Sequence, residues 1–157
     1  MINFGHIDHG IYVGSAPQNS ADVARLKEMK VSAVISLQSD MDIKAHRIDW
    51  KKLQSAYEYN SIYFQRFPIV DFDEKDLGRK LPNPARALDE LRRLDHEVYV
   101  HCNAGICRAP ATVLTYLCHF QDLGVEQGLD FIRQRRPQAN PYISSVVLAL
   151  AELSNDI

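Results

Sequence analysis

Residues 31–37 (VSAVISL) constrain this chain most, because Val31, Val34, Ile35 and Leu37 leave almost no polar face. A strand of that composition is buried on both sides, which happens in parallel sheets covered by helices. Similar short runs occur at residues 11–13 (IYV), within 61–70 (SIYFQRFPIV) and at 98–101 (VYVH). Pro68 ends the third run near Phe67, since proline cannot donate to a ladder. Helical patterns fill the gaps. Ser20 caps a helix to about Lys30 carrying Val23, Leu26 and Met29 on one face, and Asp49 caps another to Tyr59. Leu88, Leu91 and Leu94 make a stripe over 85–94, and Pro110 suits the first turn of a helix ending near Gly124. Two more helices are predicted at 125–135 and 144–155. The alternation predicts an α/β fold, a central and mostly parallel sheet flanked by helices.

With 157 residues and no linker or repeat, a single domain over 1–157 is expected, large enough to bury a real core. Eighteen Lys and Arg against 20 Asp and Glu leave a charge of −2, which argues against nucleic acid or an anionic membrane as a partner. Residues 146–151, the longest apolar stretch, are far too short for a bilayer span, and residues 1–10 show no secretory pattern. Three cysteines, Cys102, Cys107 and Cys118, are odd in number and clustered, which fits a reducing cytoplasm.

The segment His101-Cys-Asn-Ala-Gly-Ile-Cys-Arg108 joins a predicted strand to a predicted helix, at the strand end where such folds bind ligands. Asn103, Ala104, Gly105, Ile106 and Cys107 folded into an arc would aim successive N–H groups at one anion. Gly105 supplies the positive φ an arc needs, and the following helix adds its N-terminal donors. Arg108 would close on two phosphate oxygens with its planar fork. The same field favours the Cys102 thiolate, a nucleophile for displacement at phosphorus that would leave a cysteinyl phosphate. The leaving oxygen then needs a proton. Val70-Asp-Phe-Asp-Glu74 offers acids on a loop after a strand, with Asp71 the first candidate and Asp73 the alternative.

These residues resemble the cysteine-dependent dual-specificity phosphatases, a branch of the protein tyrosine phosphatase superfamily, from about Ile11 to Val147. Within that branch they look most like the glucan phosphatases, the group of laforin and the plant starch phosphatases. Cys102-Asn-Ala-Gly-Ile-Cys-Arg108 follows that group's active loop except at Cys107, where the group has Gly. Arg108-Ala-Pro110, Val70-Asp-Phe-Asp73, Gly14-Ser15 and Leu37-Gln38-Ser39-Asp40 add to the likeness. The resemblance implies a protein tyrosine phosphatase-like fold, Cys102 as nucleophile, Asp71 as general acid, Arg108 as phosphate clamp and Phe72 on the substrate side. It implies a phosphorylated protein or a phosphoglucan as substrate, and no cofactor or metal. Ala109 stands where many relatives place a Ser or Thr that helps expel the thiolate. These residues hold no carbohydrate-binding module, so glucan specificity would rest on the catalytic domain.

Other signals have plainer readings. Cys107 is expected to be a small filler, with resolution of an oxidised Cys102 as the alternative, and Cys118 a core residue. His101 is expected to orient the loop. Cys102, Cys107, His101 and His119 lack the paired spacing of a zinc site. Trp50, Tyr57, Tyr59, Tyr63 and Phe64 read mainly as core, although aromatics also suit sugar rings. Arg133, Arg135 and Arg136 read as a solvated helix end, and Gln138-Ala-Asn140-Pro141 only loosely echoes the family's late substrate loop. A rhodanese-like sulfur carrier needs no upstream acid, and a phosphate-binding pseudophosphatase usually lacks the nucleophile, clamp or acid.

Overall fold

The computed structural model of the chain describes residues 1–155. Strands β1 (Phe4–Asp8), β2 (Ile11–Gly14), β3 (Ala33–Ser36), β4 (Tyr63–Arg66) and β5 (Val98–His101) form one sheet in the order β1-β2-β5-β3-β4. Only β1 is antiparallel, paired to β2 at one edge. The helices are α1 (Ser20–Glu28), α2 (Asp40–Ala45), α3 (Trp50–Tyr59), α4 (Glu74–Lys80), α5 (Pro82–Arg93), α6 (Arg108–Phe120), α7 (Val125–Arg135) and α8 (Ile143–Asn155). A mostly parallel sheet between helices is the architecture expected from the alternation of patterns.

The period of two along each strand divides the core. Val34 and Tyr99 point to one face, where Val23, Leu26, Leu53 and Tyr57 of α1 and α3 cover them. Ala33, Ile35, Val98 and Val100 point to the other, under Leu88, Leu91, Leu114, Ile132 and Val146. Helix α6 is buried continuously over residues 108–117. Its Thr112 and Thr115 hydroxyls donate to the carbonyls of Arg108 (3.0 Å) and Ala111 (2.8 Å), which spares them an unpaired burial.

The parallel register brings Gly14, Ser36, Arg66 and His101 to the same level, so the carboxyl ends of four strands share one edge. That edge holds the site.

Several local expectations are corrected. Asn19, not Ser20, caps α1, accepting from the Asp22 amide, and Lys30 lies beyond the helix at φ 68°. Helix α6 stops at Phe120, and Gly124 is the N-cap of α7. Helix α5 starts at Pro82, and within residues 61–70 only Tyr63–Arg66 pairs as strand. Strand β1 and the short helices α2 and α4 carry too few apolar residues to show a period. Tyr57 is buried with Phe64 stacked on it and Trp50 against Phe64, whereas Tyr59 and Tyr63 are exposed.

Candidate active site

The loop from Cys102 to Cys107 connects β5 to α6, and every carbonyl along it takes part in a hydrogen bond. The His101 oxygen accepts from the Leu37 amide at 2.9 Å, and the Asn103 oxygen from the Ala16 amide at 2.9 Å. The Cys102 oxygen accepts from His101 Nδ1 at 3.0 Å. Arg136 donates to both the Ala104 (2.8 Å) and Gly105 (2.7 Å) oxygens. The Ile106 oxygen accepts from the Asn140 amide at 2.7 Å, and the Cys107 oxygen from the Ala111 amide at 2.9 Å. With their carbonyls engaged in this way, the amides between them are left able to face one point as a nest. Cys107, the N-cap of α6, gives no side-chain cap, so the first-turn donors of that helix face the same point.

Gly105 makes the arc possible. It sits at φ 69°, and a Cβ there would lie 2.5 Å from the backbone C and O of Gly14. A side chain at that position would meet both an unfavourable dihedral and a solid wall.

Arg136, expected at a solvated helix end, is instead 2% exposed. Besides the two loop carbonyls, its guanidinium holds Asn3 Oδ1 at 2.8 Å, tying the segment before β1 to the loop. His101 is also buried, and burial pushes its pKa down to about 4; the bond to Cys102 opposes this and the Arg108 charge adds to it. The ring is therefore neutral, and with a carbonyl as partner its Nδ1 carries the hydrogen. It orients the loop as expected.

Cys102 and Arg108 are 3% and 2% exposed. Arg108 Nη1 meets Asp42 Oδ2 at 2.7 Å, the Ile69 oxygen at 2.8 Å and the Leu37 oxygen at 3.3 Å. Its Nη2 lies 3.3 Å from Asp71 Oδ2. Its Nε is buried without a hydrogen-bond partner among the described residues. Asp42 escaped the sequence reading. The Ser39–Asp42 spacing signals a helix start, and the capping box on α2 is present, but nothing local shows that the carboxylate also reaches Arg108. Burial opposes its ionisation, yet the bonds from Arg108, the Ser39 amide and Asn103 hold its carboxyl below the usual range.

Asn103 links both acids to the loop, donating to Asp42 Oδ1 at 2.9 Å and contacting Asp71 Oδ2 at 3.4 Å. Gln38 Nε2 donates to Asn103 Oδ1 at 2.9 Å, which fixes the amide orientation. Asp73 faces the other way, capping α4 by accepting from the Asp76 amide. Phe72, between the two acids, sits at φ 60° with its ring 85% exposed. Ile106 is 40% exposed. Cys107 is half-buried; burial raises its pKa, a bond from the Tyr142 backbone lowers it, and negative charge at Cys102 would raise it further. It is thus kept as a thiol. The structure places Cys102, Asn103, Arg108 and Asp71 together and leaves Phe72 at the rim. The arrangement can hold a tetrahedral anion above a thiol with a carboxyl beside it.

The chain is similar to known proteins over most of its length. A family model described as the dual specificity phosphatase catalytic domain matches residues 11–151. The chloroplastic phosphoglucan phosphatase LSF1 of Arabidopsis thaliana is 30% identical over 83% of the chain and 22% of its own length. The amyloplastic phosphoglucan phosphatase DSP4 of Castanea sativa is 30% identical over 97% of the chain and 41% of its own. The chain thus spans less than half the length of these relatives. In fold it is similar to the crystal structure of PTPMT1, with a TM-score of 0.76 at 21% identity, covering 98% of this chain and 95% of that one. The loop from Cys102 to Arg108 falls inside the matched residues, and the chain belongs to the dual specificity phosphatase catalytic domain family.

Proposed function

We propose that this domain hydrolyses phosphate monoesters through a cysteinyl-phosphate intermediate. The observation that carries the reading is the loop itself, whose carbonyls are all hydrogen-bonded while Arg108 keeps a buried Nε without a partner among the described residues. A phosphoryl group seated there accepts from the inward amides and from the Nε and Nη2 edge of Arg108. The Cys102 thiolate attacks phosphorus as the bond to the ester oxygen breaks, and Asp71 gives that oxygen a proton. Asp71, now a carboxylate, takes a proton from water, which displaces Cys102 and releases inorganic phosphate. His101 is neutral and bonded to the loop, so it serves geometry and not proton transfer.

The substrate is a phosphorylated protein or a phosphoglucan. Phosphoglucan is favoured by one feature of the rim: the Phe72 ring stands free beside Asp71, where a sugar could stack on it. Similarity to the two plant phosphoglucan phosphatases supports the same reading.

The test is phosphate release from phosphorylated amylopectin and from a phosphotyrosine peptide, with Cys102→Ser as the blank. Release that disappears in Cys102→Ser is expected, with the glucan preferred. Preference for the peptide would remove the glucan reading and leave the mechanism. Release from neither, with tungstate still bound, would make the domain a phosphate-binding module.

A further inference from the structure

Arg108 has two edges that could meet a phosphoryl group, and the protein has already chosen between them. Nη1 carries two hydrogens and faces three acceptors: Asp42 Oδ2 and the carbonyls of Ile69 and Leu37. That nitrogen has nothing left to offer. Nε has no partner among the described residues, and Nη2 has only the longer contact to Asp71. The edge made by Nε and Nη2 is thus the one left for two phosphate oxygens.

The two carbonyls accept from whatever donor comes within reach, and they exert no charge. Among the described residues Asp42 is the only charged partner of Nη1, and its contact is the shortest of the three. Its other oxygen holds Asn103 Nδ2, in the first residue after Cys102. One carboxylate therefore fixes both the clamp and the start of the loop. Asp42 is itself fixed by the capping box, in which its Oδ2 accepts from the Ser39 amide at 2.8 Å and its own amide donates to Ser39 Oγ. The backbone entry of α2, the clamp and the loop are thus joined through a single side chain.

We infer that Asp42 is a positioning residue for phosphate binding, holding Arg108 by Nη1 so that Nε and Nη2 face the substrate. The inference rests on the assignment of Arg108 as the phosphate clamp. Asp42 touches no reacting atom; it acts through Arg108 and Asn103. An amide in its place has only one oxygen, so either Asn103 or the pair made by Arg108 and the Ser39 amide, all of them donors, would face an NH2 group.

The experiment is a double-mutant cycle on p-nitrophenyl phosphate hydrolysis and on tungstate binding, with Asp42→Asn and Asp42→Ala each made in the wild-type chain and in Arg108→Lys. In the wild-type chain, kcat/KM is expected to fall about a hundredfold and tungstate affinity at least about tenfold, with a near-native melting temperature for Asp42→Asn. In Arg108→Lys, the same changes are expected to cost at least about fivefold less than in the wild-type chain, because the planar fork that Asp42 aims is gone and only its hold on Asn103 remains. Equal losses in both backgrounds would overturn the inference, as would full activity and tungstate affinity in Asp42→Asn. Tungstate binding needs no turnover, so a wild-type chain that binds it without hydrolysis would remove the proposed reaction while the cycle still decides Asp42. Should Asp42→Ala not fold, Asp42→Asn carries the test.

Discussion

Two aspartates two positions apart are set to different tasks by a few hydrogen bonds. Asp71 turns toward Arg108 and Asn103, whereas Asp73 spends its carboxylate on the first turn of α4. The Phe72 backbone at φ 60° lies between them and reverses the direction of the chain. Asp71→Asn is expected to lower kcat by about 10²–10⁴-fold, the usual contribution of a proton donor, while leaving tungstate binding in place. Asp73→Asn is expected to keep near-normal turnover, since Asn is also a good cap. Steady-state rates across a pH series on both variants check this; the reverse pattern would reassign the acid. The sequence could name both aspartates but not separate them, because caps and proton donors use the same side chain. Asp42 and Arg136 were harder still. Each reaches the loop from a distant segment, and no local pattern encodes such a contact.

At the scale of elements, the strand–loop–helix unit around Cys102 was readable because both of its functional ends lie in one short stretch. An apolar run stops at His101, a glycine allows the arc, and Pro110 fits the first turn of α6. Helix α4 was not readable, since EKDLGRK has too few apolar positions to show a period and includes Gly78. Strand β1 hid for a similar reason, with Gly, His and Asp among its five residues. The loop passes so close to Gly14 that Gly105 has no room for a side chain. Gly105→Ala is expected to destabilise the domain by at least about 2 kcal/mol, through the positive φ and the backbone contact together. For a chain of this size that lowers the melting temperature by roughly 4–8 °C. Thermal unfolding together with tungstate binding reads both consequences; an Ala variant as stable and as tight as wild type would mean that the arc is not constrained here.

Across the whole molecule, the sheet works as a level platform. Parallel register sets four strand ends at one height, and a separate core on each face keeps them there. Helices α1 and α3 cover one face, and α6 lies buried on the other with its N-terminus under the loop. The site draws on segments from Asn3 to Asn140, so its geometry reports the integrity of the entire fold. The central claim is that Cys102 carries the phosphoryl group between two displacements. The most direct measurement is rapid acid quenching of the Asp71→Asn variant during turnover of p-nitrophenyl phosphate, followed by mass mapping of the phosphorylated peptide. The account predicts a phosphoryl group on the peptide containing Cys102, absent when Cys102 is changed to Ser. A phosphoryl group on another residue, or undiminished turnover in Cys102→Ser, would contradict it.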